Sequence, residues 1–140
     1  MKINKKIRQE VAQLLKSAKH EDGALVFNAL NVYSHRIAGF GENEDEFPAA
    51  SVFFETGEVN PEHGSDNHVT KLTIQLFATA PIDIDGALDD LSDPVIKTME
   101  DNPDLNGLVE SCQLSGYDYV TESTATLGLM ELEFDVIFDN

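Results

Sequence analysis

The sequence predicts an α+β fold in which an antiparallel or mixed β-sheet carries helices packed on one face. Three observations predict it. Two segments, 3–19 and 84–101, repeat apolar residues at helical spacing. Three others, 48–56, 68–79 and 126–138, alternate with period two. With weaker strands at 25–33 and 109–120 the order becomes α-β-β-β-α-β-β, which suits helices layered on one side of a sheet.

The first helix rests on Ile3, Ile7, Val11, Leu14, Leu15 and Ala18. Lys16, Lys19 and His20 suit the negative end of its dipole, and Gly23 is its expected stop. Residues 25–33 are apolar enough for a strand or hairpin. Residues 38–46 are rich in glycine and acid and predict a loop. In the strand 48–56, Ala50, Val52 and Phe54 share a face. An acidic loop over 57–67, with Gly57, Pro61 and Gly64, separates it from the strand 68–79. There Leu72, Ile74, Leu76 and Ala78 share one face, and Lys71, Thr73 and Gln75 the other.

The second helix shows Leu88, Leu91, Val95 and Met99 on its apolar stripe, with Asp83 and Asp85 as cap and dipole partners. Pro94 inside it predicts a kink or two short helices, the second capped by Ser92 or Asp93. In the last strand Met130, Leu132, Phe134, Val136 and Phe138 alternate with Glu131, Glu133 and Asp135. One face is core, and the acidic face meets water or a wet cavity.

The 140 residues suit one domain, divided into a basic helix (1–20) and an acidic body (21–140). The net charge of −17 is unevenly spread. Residues 1–19 hold six basic residues and one acid, net +5, whereas the rest holds three basic residues and 25 acids, net −22. Such a body repels nucleic-acid phosphates and anionic membranes. The basic segment is either a solvated helix face or a surface for docking on an acidic neighbour. Cys112 is the only cysteine, so an internal disulfide is impossible, as suits a reducing compartment. No apolar run approaches the roughly 20 residues of a membrane helix, and no secretion signal is expected.

Catalytic and metal signatures are weak. Residues 102–113 imitate a calcium loop, with Gly107 at its sixth place, but Asn102 and Gln113 stand where charged ligands belong. His63 and His68 flank Asp66, beside Glu62, without a recognised zinc spacing; surface histidines are the plainer account. Cys112 falls on an apolar face with Leu114, where a thiol is inert packing. No nucleophile elbow, P-loop or dinucleotide glycine pattern occurs. No catalytic residue, metal ligand or organic cofactor is therefore assigned. Tyr117 and Tyr119, at period two in Gly116-Tyr117-Asp118-Tyr119, share a strand face and suit an interface.

Residues 47–58 (FPAASVFFETGE), Pro94-Val95 with Pro103-Asp104-Leu105, and Ser115-Gly116-Tyr117-Asp118-Tyr119 before a final alternating strand resemble the lambda-type phage tail terminator family, also called minor tail protein U. The resemblance covers about 47–138 well and the first helix in character only; residues 28–46 look longer than the family pattern. It implies a structural virion protein assembled in the host cytoplasm. It implies a hexameric ring that caps the tail tube, stops its growth and offers a surface for head joining. Partners would be other copies, the major tail tube protein and a head-completion protein, with DNA passing through unbound and no membrane involved.

Interface candidates are Lys5, Lys6, Arg8, Glu44, Asp45, Glu46, Glu58, Glu62, Asp66, Tyr117, Asp118 and Tyr119. Glu131, Glu133 and Asp135 are candidates for the lumen wall. Weak divalent-cation help, such as Mg2+, would ease assembly against the repulsion of like-charged copies. Two other classes fit less well. An acidic DNA mimic would explain the charge but not the basic helix, and a metal-dependent enzyme would have only the histidine loop.

Overall fold

The computed structural model describes residues 2–37, 39–40, 44–60, 67–80, 82–120 and 127–139. Two helices, α1 (Lys2–Lys16) and α2 (Ile84–Glu100), lie on one five-stranded sheet. Its strands are β1 (Val32–Tyr33), β2 (Ala49–Asn60), β3 (Asn67–Thr79), β4 (Ser111–Val120) and β5 (Leu127–Asp139). The spatial order is β1-β2-β3-β5-β4. Only the β1–β2 pair is parallel, so the sheet is mixed, as predicted.

The core lies between the sheet and both helices. Ile7, Val11 and Leu15 of α1 and Leu88, Leu91, Val95 and Met99 of α2 enter one buried cluster with Ala50, Val52, Leu72, Ile74, Leu76, Leu132, Phe134, Val136 and Phe138. The strand periodicity therefore marks the core face correctly. Gly128 of β5 lets α2 settle: a Cβ there would stand 3.0 Å from Leu88 Cδ1 and closer still to Ile84 Cγ1.

Four expectations need correction. The helix α1 stops at Lys16 because the chain turns at once: Val26 N–H donates to Ala18 O and His20 N–H to Ala24 O, with Gly23 at φ 88° inside that turn. The apolar run 25–33 is mostly not strand. Asn28 Oδ1 accepts from Leu30 N–H and starts a 3-10 turn over Ala29–Asn31, leaving a two-residue β1. A local side-chain bond thus outcompetes the ladder.

Third, of a kink or two short helices at Pro94, the second is ruled out: α2 is one helix across it. Its apolar stripe runs unbroken from Leu88 to Met99, so packing outweighs the lost backbone bond. Ser92 does not cap; its hydroxyl donates to Asp89 O inside the helix. Fourth, the loop predicted over 57–67 is narrower, because β2 runs to Asn60 and β3 starts at Asn67. A bulge at Phe54/Thr56 shifts the register, after which Glu58 faces Val69 across the ladder.

The long segment before β2 has a clear place. It crosses to the sheet face opposite the helices and covers the β2–β3 half. Arg36 lies 4.0 Å over the Phe53 ring, and Ser51 Oγ donates to His35 O at 2.6 Å. Phe40 packs on Phe47 and Phe77 with ring centroids 4.8 and 4.7 Å apart. Ala49, Ser51 and Phe53 are consequently buried although they point away from the helices.

Candidate assembly surfaces

The cover stops at β3, so the β5–β4 half of that sheet face stays open. Glu131, Glu133 and Asp135 stand on it in a row, each partly exposed, with Asp118 directly across from Glu131. Like charges opposed across a ladder destabilise it. One carboxylate of the row is paired: Asp135 meets Lys71 Nζ at 2.7 Å, both side chains about half exposed. Asp135, the neighbouring charge, raises the Lys71 pKa, chiefly through that hydrogen bond. Gln75 Nε2 donates to Glu131 at 3.4 Å. The predicted acidic strand face is therefore present and open, but Asp135 is half neutralised.

Lys5 and Lys6 are exposed on α1 with Lys2. Arg8 is half-buried, and its Nε is enclosed without a hydrogen-bond partner among the described residues. Asp45 is exposed and lends its backbone carbonyl to Asn31 Nδ2, while Glu44 and Glu46 belong to the same short 3-10 turn. Glu46 keeps one carboxylate oxygen enclosed and unpartnered. Glu58 lies on the exposed end of β2. Glu62, His63 and Asp66 lie outside the described residues.

His68 corrects the expectation of surface histidines. It is buried on the core face of β3 and stacks on Phe138, with ring centroids 5.0 Å apart. The ends of the calcium-like loop are also committed elsewhere. Asn102 Nδ2 donates to Thr98 O, and Gln113 sits in β4 opposite Asp135. Leu105, Asn106 and Gly107 all have positive φ, with Leu105 fully buried, so this stretch is a sharp turn anchored in the core. Cys112 is buried, and burial pushes its thiol up to about 12, as its apolar position led one to expect.

Tyr117 and Tyr119 share a face and touch edge to face, with centroids 6.2 Å apart. Tyr117 is 67% exposed on β4, an edge strand. The Tyr119 hydroxyl donates to Asp89 of α2, and this bond raises the phenol to about 12. Sequence reasoning missed what Asp89 belongs to. Asp85, Asp89 and Asp93 follow each other four apart on α2, so they form an acidic stripe beside β4. Their spacing was visible in the sequence, but not the direction in which the stripe points.

A fold with two unlike charged helices, an open acidic sheet face and an exposed aromatic edge is built for contacts. The family model for phage minor tail protein U matches residues 2–138. The chain belongs to the phage minor tail protein U family. The match includes α1 and residues 28–46, where the resemblance by motif was thin. No curated protein matches the chain. Membership makes it a viral tail protein, one that associates with other tail or virion components. No helix among the described residues is long and apolar enough to cross a membrane.

Proposed function

We propose that the chain is a tail terminator: six copies close into a ring that caps the tail tube, ends its polymerisation and presents a surface to a head-completion protein. The observation that carries this reading is the segregation of charge within a chain of a phage tail family, with lysines on α1 and carboxylates on α2 and the open sheet face. A ring of identical subunits needs two different patches that fit each other.

In this reading Glu131, Glu133 and Asp135 line the lumen, where a like-charged wall lets DNA pass without holding it. Copies that each carry −17 resist being brought together, so Mg2+ or salt promotes closure. The role is structural and needs no organic cofactor. A cavity of about 300 Å3 between the turn after α1 and α2 brings together His20 and Asp90 with apolar residues such as Leu91 and Phe47, and no thiol. Among the described residues no three His, Cys, Asp or Glu side chains gather as a metal centre requires.

Electron microscopy of the purified protein with and without Mg2+ tests the reading. Six-fold rings that block further addition of tube protein are expected. Particles that stay monomeric across the Mg2+ and salt series would overturn it.

A further inference from the structure

We propose that the copies join side by side, the β1 flank of one against the β4 flank of the next, so that α1 of the first lies along α2 of the second. This rests on the ring reading and adds which surfaces meet.

The two flanks are fixed by the topology. The strands β1 and β4 are the opposite edges of the sheet. The helix α1 packs over β1 and β2, whereas α2 packs over β3, β5 and β4. Side-chain bonds then show how each helix is turned. Asn106, in the turn after α2, donates to Glu10, so Glu10 marks the side of α1 that faces α2. At 3.6 residues per turn, Lys5, Arg8 and Lys16 lie about a third of a turn or more away from Glu10, toward the β1 flank. On α2, the bond from Tyr119 marks Asp89 as the side facing β4. Asp85, Asp93 and Glu100 lie within about 40° of Asp89 around that helix. On the helix layer, the α1 side of one flank is therefore basic and the α2 side of the other acidic.

Most of each pattern does not serve its own helix, although Asp85 and Lys16 suit the dipole ends where they stand. Lysines at the start of α1 oppose the helix dipole, and α1 has no acid in its first turn. Carboxylates four apart on α2 repel one another. Among the described residues the ion pairs are Lys71–Asp135 and Lys97–Asp101, and the α1 lysines and Asp85, Asp89 and Asp93 have no ionic partner there. Each set is what the other lacks.

The apolar exposure fits the same joint. Tyr117 is 67% exposed on β4, on the same face as Tyr119, whose hydroxyl reaches α2. Leu30, 81% exposed, lies just before β1 at the opposite edge. A side-by-side contact brings both to one seam. It also brings the unpaired edge of β4 near β2, whose ladder with β1 covers only Ala50 and Ser51. Because the two patches differ, the contact is heterologous, the kind whose repetition makes a ring when the rotation between copies closes.

Two charge reversals test the joint. The Lys5→Glu/Lys16→Glu chain and the Asp85→Lys/Asp93→Lys chain should each stay monomeric by light scattering where the unaltered protein forms rings, with association weakened roughly tenfold or more. An equal mixture should assemble better than either variant alone, because the reversed residues of one then face the reversed residues of the other. Rings formed by both variants alone would overturn the joint while leaving the ring reading intact. An unaltered protein that never assembles would overturn both.

If a variant loses its circular dichroism, cross-linking decides instead. Differently tagged Lys5→Cys and Asp93→Cys chains, mixed with a short bis-maleimide, should couple to each other; Cys112 is buried and stays silent. Coupling of Lys5→Cys chains only to themselves would show a two-fold contact and sink the proposal.

Discussion

The helices α1 and α2 rest on the same face of one sheet and contribute the same kind of apolar stripe, yet they are stabilised differently. The helix α2 is capped by Asp83, which accepts from Gly86 N–H, carries Asp85 in its first turn and Lys97 in its last. It is also set into the sheet at Gly128. The helix α1 has lysines where the dipole favours acids, and its outer surface carries Lys2, Lys5, Lys6 and Lys16. It is held chiefly by burial, through Ile7, Val11 and Leu15, all fully enclosed, with one side-chain bond from Asn106 to Glu10. The difference teaches that the charges of α1 are not explained by the stability of α1. The surface that contributes least to the subunit's own stability is the one best suited to meet another copy.

The sharpest way to break this comparison is to remove the burial that holds α1. Leu15→Ala should lower the unfolding free energy by about 2–5 kcal/mol in urea denaturation, the usual result of emptying a fully buried leucine site. On the other helix, Gly128→Ala should cost about 1–3 kcal/mol, because the new methyl must displace Ile84 or Leu88 and with them the start of α2.

Smaller effects separate the two helix starts. Asp83→Ala should destabilise by about 1 kcal/mol through loss of the cap. Lys2→Glu should do the opposite and stabilise α1 by about 0.3–1 kcal/mol at low salt, an effect that fades as salt is added. A gain from Lys2→Glu together with weaker self-association would separate folding from assembly at a single position.

The last test is a titration. Asp89 raises the Tyr119 phenol to about 12 from an ordinary 10.0, so the neutral phenol is the form that folding favours. This contribution is complete below pH 10.0 and is lost as pH rises through about 12. Ultraviolet titration of the phenolates should show Tyr119 ionising late. In Asp89→Asn that tyrosine should ionise earlier, and a curve that does not move would remove Asp89 as the marker of the β4 flank.

Much of the fold was legible because a half-buried strand and an amphipathic helix print different periods. The β5 alternation from Met130 to Phe138 and the α2 stripe from Leu88 to Met99 need only the local chain to be recognised. The errors arose where a local bond or a remote contact outweighed the pattern. Asn28 took residues 29–31 out of the strand, and packing carried α2 through Pro94. The burial of Phe53 was hidden because its cover, Arg36, arrives from another part of the chain on the opposite sheet face.

For the candidate surfaces, the sequence by itself determined how much charge each segment carries: a net +5 before residue 20 and −22 after it. It also determined that Tyr117 and Tyr119 share a face, since that follows from the pleat of a strand. Only the tertiary structure decided where those features point. Residue spacing sets the angle between side chains on one helix, but not the turn of that helix against its neighbours. Two side-chain bonds that span the fold, Asn106 to Glu10 and Tyr119 to Asp89, show that turn, and they set Lys5, Arg8 and Lys16 on the flank opposite Asp85, Asp89 and Asp93.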